Sequence, residues 1–114
     1  MVTLIGRAVG LASIFVATTA VAETQSNLTD KRLLGRWCET GVYKFEPSRL
    51  VVWKNGEQWA LRIEKVETGD DWINVIWDPR DGGKSTVYGE FGSTRMVQKG
   101  NPNEGLPRRE FRRC

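Results

Sequence analysis

The chain contains no histidine. That removes the commonest general base, the Ser–His and Cys–His nucleophile pairs, and most zinc ligand sets. Cysteine is scarce too: Cys38 and Cys114 are the only two. Helical periodicity is almost missing beyond residue 34, and no internal repeat or low-complexity tract is visible. Nor does one sign of charge dominate. Of 17 Lys and Arg, one (Arg7) precedes residue 23, which leaves 16 against 14 Asp and Glu. A balance this even does not hold a polyanion through bulk charge, so nucleic acid is not an expected partner. With no catalytic constellation in view, the chain reads as a protein that is not an enzyme and needs no cofactor or metal.

Residues 1–22 carry the parts of a secretory signal. Arg7 supplies the positive region, Ala8 to Thr19 the apolar run, and Ala20-Val21-Ala22 the small residues that a signal peptidase reads. A membrane span would need ~20 apolar residues, and Thr18, Thr19 and the acidic stretch from Glu23 interrupt this one. The expectation is a cleaved leader over 1–22, no membrane span after its removal, and a periplasmic or secreted product. Residues 23–34 then form an N-terminal arm with one short helical turn, capped by Asn27 or Thr29. Residues 35–114 form a single domain, small enough to need a staple. Two cysteines in an oxidising compartment read as a Cys38–Cys114 disulfide.

What the sequence does have is short runs rich in Val, Ile, Trp, Tyr and Phe, separated by Gly, Asn and Asp turns. That spacing predicts an all-β fold, a small antiparallel meander barrel or strongly coiled sheet of about eight short strands. The strands fall near 35–40, 42–46, 49–54, 58–67, 71–78, 84–91, 94–99 and 108–113. Asn55-Gly56 suits a two-residue type I′ turn, which sets Val52 opposite Trp59 and Leu50 opposite Leu61. Leu50, Val52, Trp59, Leu61 and Ile63 then share an inner face. A three-residue loop in "ETGDD" sets Ile63 against Val75 and Leu61 against Trp77, which brings Ile73, Val75 and Trp77 inside. A two-residue loop at Gly92-Ser93 would put Tyr88 opposite Val97 and turn Val87, Gly89, Phe91 and Met96 inward. Trp37 and Phe111 complete the expected core. By alternation both sulfurs then lie on the outer face, while Arg109 and Arg113 share the inner face with Trp37, where a guanidinium can stack on the indole.

Gly35-Arg36-Trp37 after a short helical turn, with Arg near the last strand, resembles the calycin group: lipocalins, avidins and the small periplasmic metalloprotease inhibitors. The resemblance rests on those two anchor points. It implies a meander barrel with a G-x-W opening strand. Through the inhibitors it implies a second role, blocking a hydrolase with the N-terminal arm, here Glu23 to Asp30.

Three stretches imitate chemistry without completing it. Gly83-Lys84-Ser85 ends like a phosphate loop, but Asp78 stands where Gly is needed and a strand follows. Asp78 and Asp81 lack calcium-loop spacing. Asp70 and Asp71 sit side by side in a turn, with no acid placed opposite them. Binding surfaces are the remaining candidates. Trp53 and Trp72 face outward with Val51, Val66 and Ile76 as an apolar strip, and Arg108 and Arg112 point out around Glu110. The functional expectation is an exported binding module whose partner is a protein or a small apolar ligand, held on the outer strip or in a shallow barrel mouth.

Overall fold

The computed structural model describes residues 23–100 and 105–114; the expected leader lies outside the described residues. Nine strands follow in order. They are β1 (Glu23–Gln25), β2 (Gly35–Cys38), β3 (Val42–Phe45), β4 (Arg49–Lys54), β5 (Glu57–Thr68), β6 (Trp72–Trp77), β7 (Ser85–Gly89), β8 (Arg95–Gln98) and β9 (Arg109–Arg113). A short 3-10 turn, Pro79–Asp81, joins β6 to β7. Neighbours run β1-β5-β4-β3-β2-β9-β8-β7-β6, and β5 also pairs with β6, so the strands form a ring in which the first and last barrel strands, β2 and β9, meet. The fold is a closed eight-stranded antiparallel barrel with β1 added outside. Among the described residues no helix is long and apolar enough to cross a membrane.

The hairpin that sets the register is as expected. Asn55 (φ 55°) and Gly56 (φ 79°) take the two positive φ values of a type I′ turn. Lys54 faces Glu57, Val52 faces Trp59 and Leu50 faces Leu61. Beyond Ile63 the register departs from expectation. Ile63 pairs with Trp77 and Val66 with Val75, with a bulge between Ile63 and Lys65. The extra residue resets the alternation, so Val66 faces the core and is buried, not part of an outer strip. The second correction concerns β7. Tyr88 pairs with Gln98 and Gly89 with Val97. Tyr88 is therefore inside, while Val87 and Gly89, expected there, are on the other face. Glu90 at φ 51° kinks the strand end, after which Phe91 again packs against the core, partly buried.

Trp37, Ile73, Val75, Met96 and Phe111 are fully or almost fully enclosed. Edge-to-face contacts join Tyr43 to Phe111 at 4.9 Å, two strands apart, and Phe45 to Tyr88 at 5.2 Å, across the barrel. Leu50, Val52, Ile63 and Trp77 are buried as expected. Leu61 is only partly buried, packed against the core. Trp59 is the exception: it lies on the inner face but remains 42% exposed, because the β4–β5 hairpin carries it to the open end of the barrel.

The opposite end is closed by the N-terminal segment. Leu28 and Leu33 are completely buried, and Leu28 N–H donates to the Pro47 carbonyl. The single turn forms one step later than expected. Asp30, not Asn27 or Thr29, starts it, with its carbonyl accepting from Leu33 and Leu34 N–H and its carboxylate from Arg32 N–H. Arg32 also donates to the Gly69 and Asp70 carbonyls and lies 5.0 Å over the Phe91 ring. The hydrogen bonds from Arg32 hold the Asp30 carboxyl below its ordinary range, against an opposing effect of partial burial. A carboxyl lowered by folding adds stability above its unfolded pKa and loses it as pH falls through the folded value. We therefore expect Asp30→Asn to lower the melting temperature at neutral pH. The gap to wild type should close as pH drops from about 5 toward 2. Melting curves across that range check this; a gap that does not change with pH would assign Asp30 no ionic role.

Candidate functional site

One end of the barrel is plugged, so the other defines the site. A cavity of about 450 Å³ opens there. Its walls carry four aromatics: Tyr43 from β3, Trp59 from β5, Trp77 from β6 and Tyr88 from β7. Leu50, Val52 and Leu61 extend the apolar lining inward, and Leu106 with Pro107 covers one side. Lys54, Thr86, Gln98 and Arg109 supply the polar groups.

These polar groups are held in place. Trp77 Nε1–H donates to Thr86 Oγ1 at 3.0 Å. Gln98 Nε2 lies 3.4 Å from the Pro107 carbonyl. Arg109 and Lys54 approach the Glu39 carboxylate at 3.4 and 3.9 Å. Thr40 N–H holds the Glu39 carboxyl below its usual range; partial burial opposes this, and the Thr40 hydroxyl, Arg109 and Lys54 add to it. Arg109 and Lys54 thus share the Glu39 carboxylate, while Glu57 faces Lys54 across the hairpin. Burial pushes the Tyr88 phenol well above its ordinary pKa, so it stays a neutral donor at the cavity floor. Apolar walls with a few fixed polar groups suit a small amphipathic molecule.

A second depression, about 400 Å³, runs along Thr40, Trp53 and the hairpin tip. Trp53 is its one aromatic lining residue. Trp53 is half-buried, 5.9 Å from the Arg36 guanidinium. Trp72, also half-buried, lies so close to Gly69 that a Cβ there would clash with the indole. The two rings do not form one strip. Trp53 pairs near the start of β5 and Trp72 follows its end, about 30 Å apart along the strand at ~3.3 Å per residue. Val66 is inside, and Val51 is itself buried.

Arg108 and Arg112 are exposed as expected, but Arg108 is committed to Glu90 at 2.9 Å and Glu110 at 3.5 Å. Of the two inner arginines only Arg113 stacks on Trp37, at 3.9 Å; Arg109 lies at the mouth. Asp78 is tied to Arg80 within the β6–β7 loop, and Asp81 to Arg62 of β5. Among the described residues no group of three or more His, Cys, Asp or Glu is arranged to hold a metal.

The arm is not a loose tail. Glu23–Gln25 pairs with Val66–Thr68 of β5, and Leu28 is core. The strand pairing of "ETQ" has no apolar signal, and Leu28 and Leu33, five residues apart, fit neither strand nor helix spacing. Cys38 and Cys114 are bonded, consistent with an oxidising extracellular environment. No protein-family model, no curated protein and no solved structure matches the chain.

Proposed function

We propose that this protein is an exported, non-catalytic binding module that takes a small amphipathic molecule into the mouth of its barrel. The observation that carries the reading is the one-ended cavity: an aromatic-walled space of about 450 Å³, open at the Trp59 end and sealed at the other by Leu28 and Leu33. An apolar body would lie against Trp59, Trp77 and Tyr43, and an anionic or polar head would meet Arg109 and Lys54. The calycin-like reading gains support from Arg113 stacked on Trp37 of the G-x-W strand. The hydrolase-inhibitor reading loses its free arm, since that segment is bound to β5 and the core. Export to the periplasm or beyond is supported by the disulfide and by the leader-like residues 1–22.

The test is a fluorescence titration with anilinonaphthalene sulfonate, an aromatic anion of suitable size. Saturable quenching of tryptophan emission is expected in the native protein. Trp59→Ala should weaken it at least several-fold, and Trp53→Ala should leave it unchanged. Absence of saturable quenching, or loss through Trp53 instead of Trp59, would overturn the proposal.

A further inference from the structure

The β4–β5 hairpin extends past the point where β6 closes the barrel. The last residue of β6, Trp77, pairs with Ile63. The neighbouring loop then bonds Arg62 on both sides: Asp78 N–H donates to its carbonyl and its own N–H donates to Asp81 Oδ2. Among the described residues no strand pairs with the outer edge of 57–61. The backbone direction there is fixed by the turn. Around a two-residue loop the flanking pair Lys54–Glu57 is hydrogen-bonded, and hydrogen-bonded pairs then alternate. Glu57, Trp59 and Leu61 therefore bond to β4, while Gln58, Ala60 and Arg62 direct N–H and C=O away from it. The observed bonds of Arg62 to the 78–81 loop agree. Gln58 and Ala60 are left with outward donors and acceptors, and both are exposed.

Natural sheets guard such edges with Lys, Pro, bulges or a covering segment. Residues 58–61, Gln-Trp-Ala-Leu, carry no charge and no proline. Between the two open residues lies Trp59, whose 42% exposure makes it the one exposed large hydrophobic side chain among the described residues. The open pattern is also symmetric about Trp59. In an antiparallel pair of two such edges, Gln58 of each copy opposes Ala60 of the other, and all four outward donors find all four outward acceptors. Trp59 then lies opposite Trp59 as a non-hydrogen-bonded pair, where side chains approach most closely.

From this geometry we infer that the 57–61 edge of β5 pairs antiparallel with the same edge of a second copy, forming a two-fold dimer centred on Trp59. The sheet becomes continuous across the two barrels. Because Trp59 lines the mouth cavity, Trp59 of the second copy extends its wall. The inference stands on the edge and does not require that the cavity bind anything.

The test uses the protein produced from its full sequence, exported and recovered with its disulfide formed. Sedimentation equilibrium should give a dimer at micromolar concentration. Ala60→Pro removes an outward N–H and no bond to β4. It should yield a monomer whose denaturation midpoint, extrapolated to low protein concentration, matches wild type. Should that variant fold poorly, Trp59→Cys reads the register directly: mild oxidation should link two chains through residue 59, and Gln58→Cys should link far less. A wild-type protein that stays monomeric into the high micromolar range overturns the inference. So does a dimer that survives Ala60→Pro, or one whose chains link no better through residue 59 than through residue 58.

Discussion

Loss of the Cys38–Cys114 bond should lower the unfolding free energy by about 4 kcal/mol, the chain-entropy value for a loop of this length. The two residues are 76 apart in sequence, so the bond restrains nearly the whole domain in its unfolded state. Its position matters as much as the loop length. The ring must be closed between β2 and β9, near the two ends of the described domain, and that seam has only two register pairs, Arg112–Cys38 and Arg113–Trp37. The β4–β5 seam has six. The disulfide reinforces a short seam, as short as β7–β8 with its two pairs, at the place where the chain's two ends must meet. A loss of about 4 kcal/mol is a large part of the 5–15 kcal/mol typical of a domain. Urea titration of the oxidised protein against the Cys38→Ser/Cys114→Ser double variant measures it. Midpoints that coincide, with equal slopes, would show that the barrel closes without the bond.

The same seam shows how far the sequence carried. Strand existence was legible because each run of β-branched and aromatic residues ends at a residue suited to a turn, and Asn55-Gly56 fixed one register absolutely. Alternation stops placing residues wherever a strand is interrupted. The bulge after Ile63 adds one residue, and its trace in the sequence was the three-residue spacing of Ile63 and Val66, which plain alternation cannot place on one face. The kink at Glu90 had no such trace, since a positive φ at Glu is set by the surrounding turn and not by the residue's own preference. Trp59 was correctly placed on the inner face. Its exposure depends on how far the hairpin overshoots the closure, a property of β6 ending at Trp77 and not of β5. The aromatic walls of the candidate site were therefore half legible. The grouping of Glu39, Lys54 and Arg109 was not, because it joins three segments distant in sequence. The sealed end is not legible for a similar reason: Leu28 and Leu33 precede the first barrel strand and alternate with nothing.

That sealed end is held by one aromatic ring, and Trp37→Ala should cost about 3–5 kcal/mol, as for other large-to-small changes in a core. The indole is completely buried, and its Nε1–H donates to the Leu33 carbonyl at 2.9 Å. One face of the ring carries the Arg113 guanidinium at 3.9 Å. Arg113 in turn donates to the carbonyls of Leu34 at 2.6 Å, Lys31 at 3.1 Å and Arg32 at 3.3 Å, so the last strand clamps the turn that plugs the barrel. Partial burial pulls the Arg113 pKa down; the ring face and three carbonyls replace the water it gives up. The clamp needs close access, which Gly35 provides: at φ +107° a Cβ would lie 2.8 Å from Arg113 Nη1. Trp37→Ala removes the ring, the indole bond and the stacking surface together. Trp37→Phe keeps a ring under the guanidinium and gives up chiefly the Nε1–H bond to Leu33, a loss of about 1 kcal/mol from that bond before any change in packing. Denaturant unfolding followed by circular dichroism separates the two. The expected order is wild type, then Trp37→Phe, then Trp37→Ala, with the larger step at the second substitution. Equal losses in Phe and Ala would mean that the ring contributes through its N–H alone and that Arg113 does not use it as a platform.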